Sequence, residues 1–457
     1  MLEKFDKQLN QKFKTNIIFS AEEDYSKLFF SGKSIILFSI KHLSSEQKSV
    51  LMAYEFDATT GEKKTEKELI RTDVKPWTES MGKGAVKTSF CQEICFSLPS
   101  SFITPYNYQY VISFSPDAKS IFVYQYDYAQ KYLVANTWFF DLELNLKQQA
   151  IVPIDNGFVN HGLYPTNKGD VYILNADRSG RVVTVWYDPD TKQNRLLDIQ
   201  STNSIRNSLK MVVLSEEVVY VAGTTLPQGK ESIDGIMYAK FDFKQMIVDK
   251  INLYDISQNI QQTASSVRSR FKNCDAEDNW KNYEIANFIV NEFEKVIVVL
   301  EKRELMYTGY SYSALSVLNP KNISEKPGRV NTEAILMFSF NKDDEMLWEN
   351  YYMKSQTNDI SAGITISSFS MDITDDGRIR VFYPSSDNSA GTYNVINYVE
   401  WDELSGMKSK ELRTPNEEGL SMLTDYTLWW QDRVVVVGRK GMLGKKSFIN
   451  LYKLEVN

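Results

Sequence analysis

Residues with catalytic chemistry are few in this 457-residue chain, and the sequence does not group them. Two histidines occur, and no Ser/His/Asp set can be assembled around them. Neither a G-x-S-x-G nucleophile motif nor a G-x-x-x-x-G-K-[ST] phosphate loop is present. The acid pairs in "ITDDGRIR" and "NKDDE" fall in predicted turns and lack the ligand spacing of a calcium loop. We therefore expect no catalytic residue, no metal site and no cofactor, and a binding protein rather than an enzyme.

Aromatic side chains form a clearer pattern. "YNYQY" begins at Tyr106, "YTGYSY" begins at Tyr307, and Trp77 stands apart from both. Tyr and Trp offer large contact areas with few rotamers to lose, which suits protein interfaces and carbohydrate stacking alike. Packing of loops onto the fold is an equally good interpretation. The predicted partner-binding residues are Trp77, Tyr106, Tyr108, Arg268, Arg270, Tyr307 and Tyr310.

Composition and charge exclude several classes of protein. The net charge of −7 argues against a nucleic-acid partner, which normally meets a basic patch. No run of 18 apolar residues occurs, so we expect no transmembrane segment. Cys91 and Cys95 could form one local bridge, two free thiols or, less often, a zinc site. We expect a protein partner, with carbohydrate as the alternative.

The elements that position these residues repeat along the chain. Apolar strands such as "VLMAYEF" end in an aromatic–Asp or aromatic–Asn pair and a polar turn. The pairs are Phe56-Asp57, Phe140-Asp141, Tyr187-Asp188, Phe241-Asp242, Phe340-Asn341 and Trp401-Asp402. A second kind of hairpin, for example "LFFSGKSIILFS", precedes each of them. Seven hairpins of each kind alternate, the last being split between the chain termini.

Seven units of four antiparallel strands predict an all-β fold, a seven-bladed β-propeller forming a single domain over residues 1–457. The strand near Phe448–Leu454 is expected to pair with the strand near Lys12–Ser20 and so close the last blade. Two stacked β-sandwiches are the competing interpretation, but no Pro/Gly/Ser-rich linker divides the chain. His161 in "NHGLYP" would begin an innermost strand and is a candidate to face the central channel. A lone histidine there is more often a hydrogen-bonded structural residue.

At "FSPDAKSI" (Phe114–Ile121) and "ITDDGRI" (Ile373–Ile379) the sequence resembles TolB-like and WD-type propeller repeats, whose turn reads roughly Ser-Pro-Asp-Gly-Lys. Ala118 replaces the usual glycine, and Trp401-Asp402 matches the Trp-Asp signature loosely. The resemblance implies a propeller fold and a general binding role, and it implies no catalytic residue. The alternative function is a glycan-active hydrolase or carbohydrate-binding propeller, with carboxylates from different blades at the channel.

The Lys-, Asn-, Ile- and Tyr-rich composition is similar in style to exported propellers of Bacteroidetes-type bacteria. We therefore expect a scaffold in a cell-envelope transport or secretion assembly, in the periplasm rather than the cytoplasm. The first residues, "MLEKFDKQLNQKFK", contain no apolar signal region. The numbering therefore fits either a cytosolic protein or an exported chain that was processed before Met1.

Insertions lengthen the repeat unevenly, at about residues 71–107, 253–283 and 303–331. In a four-strand blade these connections leave from one face, and the within-hairpin turns lie on the other. Long loops in compact domains are often functional. The alternative is that these loops have no function and are merely tolerated by the fold. In the middle insertion Ile260, Ala264, Val267 and Phe271 follow helical spacing, which predicts a short amphipathic helix. We expect the insertion-bearing face to bind the partner.

Overall fold

β-Branched and aromatic residues make nearly every element of this protein a strand. The computed structural model describes residues 2–5, 11–15, 23–31, 33–43, 45–73, 110–129, 132–155, 157–177, 179–200, 204–227, 230, 232–269, 280–291, 293–311, 324–359, 369–374, 376–385, 395–415, 421–430, 433–440 and 448–455. The chain divides into two compact units. Unit 1 comprises Met1–Ile94, Thr104–Val221 and Tyr238–Ile251, and unit 2 comprises Cys95–Ile103, Ala222–Met237 and Asn252–Asn457.

Among its described residues, unit 1 contains one hairpin and three four-stranded antiparallel sheets. The hairpin pairs β1 (Leu2–Phe5) with β2 (Gln11–Thr15). The first sheet has the order β3 (Glu23–Phe30), β4 (Ser34–Leu43), β5 (Lys48–Asp57) and β6 (Lys63–Asp73). The second has β7 (Val111–Phe114), β8 (Ser120–Ala129), β9 (Tyr132–Asp141) and β10 (Leu146–Pro153). The third has β11 (Val159–Pro165), β12 (Val171–Ala176), β13 (Val182–Tyr187) and β14 (Asn194–Ile199).

The residues of the fourth sheet are divided between the two units. Its strands, in order, are β15 (Ser204–Val213), β16 (Val218–Pro227), β17 (Gly235–Asp242) and β18 (Ile247–Asp255).

Unit 2 contains one helix and three sheets among its described residues. The helix is α1 (Gln258–Arg268). The fifth sheet has the order β19 (Tyr283–Val290), β20 (Val296–Ser311), β21 (Ser324–Phe340) and β22 (Met346–Asp359). The sixth has β23 (Ser370–Ile373), β24 (Arg378–Ser385), β25 (Val395–Asp402) and β26 (Lys408–Pro415). The seventh has three described strands, β27 (Ser421–Trp430), β28 (Arg433–Lys440) and β29 (Phe448–Glu455).

The recurring aromatic–Asp pair is a device for ending strands. Asp57 Oδ1 accepts hydrogen bonds from the backbone N–H groups of Thr59 at 2.7 Å and Thr60 at 2.9 Å. These bonds and Lys64 lower the pKa of Asp57 to about 2. Side-chain oxygens accept turn N–H groups in the same way at Asp141, Asp188, Asp242, Asn341 and Asp402. The preceding aromatic residues are buried in every case. The repeated aromatic–Asp or aromatic–Asn pair therefore has a structural role at turns rather than a chemical one.

Neighbouring sheets within a unit pack face to face, so the strands are apolar on both sides. In unit 1, Phe38 of the first sheet shares a core cluster with Val123 of the second. In unit 2, Val299 of the fifth sheet shares one with Val381 of the sixth. Full burial of such a side chain contributes about 1.5–3 kcal/mol.

The predicted all-β fold of four-stranded antiparallel sheets is confirmed, and six sheets have four strands among the described residues. In the described part of the chain β29 pairs with β28 and β2 pairs with β1. Closure of the last blade by both termini, the count of seven blades and the single domain stay predictions. Within the chain that the structure describes, no helix is long and apolar enough to cross a membrane.

Candidate functional site

The fifth sheet contains two strands that continue well past the first strand of the sheet. The last residue pair joining β19 to β20 is Tyr283–Lys302. β20 and β21 stay paired from Arg303–Thr332 to Ser311–Ser324, and β22 accompanies β21 as far as the Arg329–Asp359 pair. At about 3.3 Å per residue, the segment 303–311 spans about 30 Å. We call residues 303–311 and 324–332 the β20–β21 arm.

This arm lies within the third predicted insertion, 303–331. The sequence predicted a loop there, and the structure forms strand to Ser311 and again from Ser324. Residues 312–323 lie outside the described residues. The insertion is therefore in large part an ordered ribbon, which places its residues in a fixed register.

A line of register shifts crosses the three strands at the base of the arm. Glu301 pairs with Ile335, and the next pair along β20 is Arg303–Thr332. On the other side of β21, the shift again falls between Thr332 and Ala334. The residues passed over include Lys302 in β20, Glu333 in β21 and Lys354 in β22. Because bulges bend strands and increase their twist, these register shifts change the direction of the arm relative to the rest of the sheet.

Charged side chains at this line form a buried ion-pair cluster, which we call the bulge cluster. Glu301, which is fully buried, pairs with the equally buried Lys354 and accepts a 2.6 Å hydrogen bond from Arg303 Nε. Burial alone would raise the pKa of Glu301, but the charges of Lys354 and Arg303 hold it below its usual value. The carboxylate is therefore ionised inside the protein and depends on its cationic partners.

Neutral groups complete the surroundings of Lys354. Its ammonium donates to Thr332 Oγ1 at 3.0 Å and to Gln356 Oε1, and it lies 5.5 Å from the ring centroid of Phe369. Gln356 in turn donates to the carbonyl of Pro384 at 2.7 Å. Burial lowers the pKa of Lys354 to about 8 against the opposing pull of Glu301. The cluster thus links β20, β21 and β22 to the sixth sheet through polar contacts with defined geometry.

Helix α1 supplies the second part of the bulge cluster. Ser257 caps the helix by accepting a 3.1 Å hydrogen bond from the N–H of Ile260. Ile260 and Ala264 are buried, and the helix packs against β22. Arg268 in its last turn donates to Glu333 Oε2 at 3.1 Å, and Lys302 lies 3.6 Å from the same oxygen. The predicted amphipathic helix is thus present, and its C-terminus is attached to the base of the arm.

The structure places three of the seven predicted partner-binding residues. Arg268 is only 3% exposed, and its guanidinium is bound to Glu333 of its own chain. Tyr307 and Tyr310 lie on the arm, in register with Pro327 and Glu325. The structure thus assigns these three residues to one helix and one sheet. Trp77, Tyr106, Tyr108 and Arg270 lie outside the described residues, as do Cys91 and Cys95.

His161 lies on β11, at one edge of the third sheet. Its side chain is partly exposed but has protein atoms on most sides, and this desolvation lowers the pKa of the imidazole to about 4. The imidazole is therefore neutral near pH 7. Its carbonyl accepts a 3.4 Å hydrogen bond from the hydroxyl of Tyr164. That it faces a channel stays a prediction.

A carboxyl group with an altered pKa also occurs in unit 1. Asp170 follows the turn between β11 and β12, and burial together with the nearby charges of Asp188 and Glu216 raises its pKa to about 6. Within the described ranges, no group of three or more His, Cys, Asp or Glu residues could hold a metal ion.

Sequence reasoning missed Glu301, Lys302, Glu333 and Lys354. The available signal was "VVLEKRELMY", in which four consecutive charged residues interrupt an apolar strand. Such a run normally marks the point at which a strand reaches solvent. Burial was not predictable because Lys354 and Glu333, which pair with Glu301 and Lys302, lie on other strands.

Comparison with known proteins gives distant structural similarity. No family model and no curated relative matches the chain. The β-propeller domain of the Trilobed protease from Pyrococcus furiosus is similar over 95% of this chain and 98% of that one, with 8% identity and a TM-score of 0.42. A prolyl endopeptidase structure has 9% identity and a TM-score of 0.43, over 95% of this chain and 50% of that one. An acylaminoacyl peptidase from Pyrococcus horikoshii has 8% identity and a TM-score of 0.41, over 95% and 52%. The chain spans about half the length of these last two proteins. Similarity at this level assigns neither activity nor partner.

Proposed function

We propose that this chain is a non-catalytic β-propeller of seven blades, closed by both ends of the chain, that binds a protein partner. The β20–β21 arm carries the contact, and the bulge cluster holds it in place. The alternating hairpins support the fold, and the TolB-like and WD-type resemblance is compatible with it. The braced arm is the observation that carries the proposal.

Bracing matters because binding must offset the ordering of the groups that make contact. A ribbon whose base is fixed by Glu301–Lys354 and Arg268–Glu333 has already lost that freedom on folding. Such preorganisation lets tyrosines on the arm contribute more of their contact energy to affinity. Tyr307 and Tyr310 are the proposed anchors, since tyrosine is enriched among residues that dominate interfaces.

The size of the arm limits what it can do alone. About 30 Å of a two-stranded ribbon, with strands about 5 Å apart, presents on the order of 300 Å² per face. A stable protein interface needs about 800 Å² on each side. The partner must therefore contact residues beyond the arm. Trp77, Tyr106, Tyr108 and Arg270 stay the predicted candidates for that remainder.

Affinity capture with the full-length chain tests the proposal. The wild-type protein, Tyr307→Ala and Tyr310→Ala are immobilised in equal amounts and exposed to extract of the source organism. Each substitution should weaken capture of a partner by about 1–2 kcal/mol, roughly 5- to 30-fold, with an unchanged Tm. Alanine substitutions of Lys33, Lys63, Lys119 and Lys192, which lie in or directly beside short within-hairpin turns, serve as controls. If the lysine variants lose the partner and the tyrosine variants retain it, the proposal has placed binding on the wrong part of the chain.

A further inference from the structure

Exposed apolar side chains lie at turns of the fifth and sixth sheets, at the end of the fifth sheet opposite the arm. Phe293 lies in the turn between β19 and β20, whereas Leu404 and Met407 lie in the turn between β25 and β26. Their exposures are 72%, 73% and 71%. Met346 and Leu347, at the start of β22, are also exposed. We call these five residues the turn patch.

Polar contacts join the turns that carry the patch. Lys295 Nζ lies 3.0 Å from Glu403 Oε1 and donates to the Glu403 carbonyl at 3.1 Å, which links the first turn to the second. Trp348 Nε1 donates to the same carbonyl at 2.8 Å. The Trp348 ring packs so closely on Gly406 that a Cβ there would lie 2.6 Å from it. Phe293, Leu404 and Met407 are therefore held at the same end of two packed sheets.

Folding does not explain these apolar side chains. The first turn is formed by Asn291, whose Oδ1 accepts the N–H groups of Phe293 and Lys295. Asp402 forms the second turn by accepting the N–H of Ser405 at 2.7 Å. Polar residues at the positions of the patch would satisfy both turns equally well. Clustered exposed apolar side chains with a polar rim mark an interaction surface.

Charge selects the occupant of the patch. The described residues of turns 291–295, 341–345, 374–378 and 402–408 include seven carboxylates and four cationic side chains, a net charge of −3. A second copy of this chain would set the same negative rim against itself, within chains of net charge −7. Like-charge contact of this kind opposes association, whereas a basic partner would be attracted.

We propose that the turn patch is a second docking surface, which binds a protein segment with apolar side chains flanked by lysine or arginine. Phe293, Leu404 and Met407 contact the apolar residues, and the acidic rim pairs with the cations. The site lies at the opposite end of β20 from the β20–β21 arm. It therefore does not depend on the arm being a binding surface.

A peptide pair tests this proposal with the full-length chain. The probe is a fluorescein-labelled peptide in which a Leu-Trp-Leu core is flanked on each side by two lysines, and its counterpart carries glutamates instead. Anisotropy should show saturable binding of the lysine peptide and at least about tenfold weaker binding of the glutamate peptide. The triple variant Phe293→Ser, Leu404→Ser and Met407→Ser should weaken lysine-peptide binding at least about tenfold.

Two controls make the result decisive. Tyr307→Ala should leave peptide binding unchanged, which separates this surface from the arm. The Tm of the triple variant should stay within a few degrees of wild type, because its substitutions are exposed; Leu404→Ser alone serves if the triple variant unfolds. Equal binding of the two peptides, unchanged binding by the variants, or absence of saturable binding would overturn the proposal. Wild-type dimers in sedimentation velocity that the triple variant abolishes would assign the patch to a second copy instead.

Discussion

Replacing Glu301 by glutamine should destabilise the protein by about 3–5 kcal/mol at pH 7, the usual cost of removing one member of a buried ion pair. The side chain of Lys354 is fully buried, and Glu301 is its carboxylate partner. Without that charge the ammonium retains only the neutral acceptors Thr332 and Gln356. The cost is mainly that of an uncompensated buried cation, because glutamine preserves the shape of the side chain.

The loss should depend on pH in a defined direction. Burial lowers the pKa of Lys354 from 10.5 to about 8 in the folded protein. The unfolded chain therefore binds more protons between about pH 8 and pH 10.5, and wild-type stability rises with pH across that window. Well above pH 8 Lys354 is neutral in wild type as well, so removal of the carboxylate then costs less. The difference between wild type and Glu301→Gln should shrink from pH 7 to pH 9.5.

Urea unfolding followed by circular dichroism measures these differences. The double variant Glu301→Leu, Lys354→Met should be much less destabilised than the sum of the two single variants, since no lone charge stays buried. Glu66→Gln, which removes an exposed 2.8 Å ion pair with Lys63, should cost less than about 1 kcal/mol. The reasoning fails if Glu301→Gln lies within 0.5 kcal/mol of wild type, or if the double variant is additive.

Two further predictions concern individual residues, and a third concerns activity. Ala118 has a φ of 55°, and Gly377, at the matching position of its turn, has a φ of 77°. Because glycine adopts positive φ more easily than alanine, Ala118→Gly should raise the free energy of unfolding and Gly377→Ala should lower it, each by about 0.5–1 kcal/mol. Chemical denaturation measures both changes. Because burial raises the pKa of Asp170 to about 6, the stability of the protein falls as pH rises from about 4 to 6. Asp170→Asn should therefore stabilise the protein by about 1–2 kcal/mol at pH 7 and by much less at pH 4. Asp190→Asn serves as an exposed control. A panel of polysaccharides and peptides should show no turnover by chromatography, and clear turnover would contradict the non-catalytic proposal.

Local signals predicted most of the secondary structure correctly. Asp57 and the Asp or Asn residues of the other aromatic pairs predict turns because their side chains accept hydrogen bonds from the next few backbone N–H groups. This interaction is confined to residues close in sequence. The helix at Gln258–Arg268 was predictable for the same reason, since its apolar spacing and Ser257 cap are local. Patterns of this kind need no knowledge of the rest of the fold.

The arm and the bulge cluster depend on distant residues and could not be predicted. "ELMYTGYS" (Glu304–Ser311) contains glycine and serine, so its sequence favours a loop, yet pairing with residues 324–331 makes it a strand. Arg268 was predicted to bind a partner protein, and its bond to Glu333 of the same chain could not be predicted because the two residues are 65 positions apart. Separation along the sequence likewise concealed the burial of Lys354, whose partner Glu301 lies on another strand. Sequence thus located the insertion but did not show which of its charges are structural.

Site-specific photocrosslinking in cells of the source organism tests the central claim most directly. A benzoylphenylalanine is placed singly at Tyr307 or Tyr310, and in control proteins at Lys119 or Lys192. The proposed role of the β20–β21 arm predicts a light-dependent adduct with one protein at the two arm positions and none at the two lysine positions. Adducts at the lysine positions, with none at Tyr307 or Tyr310, would contradict it.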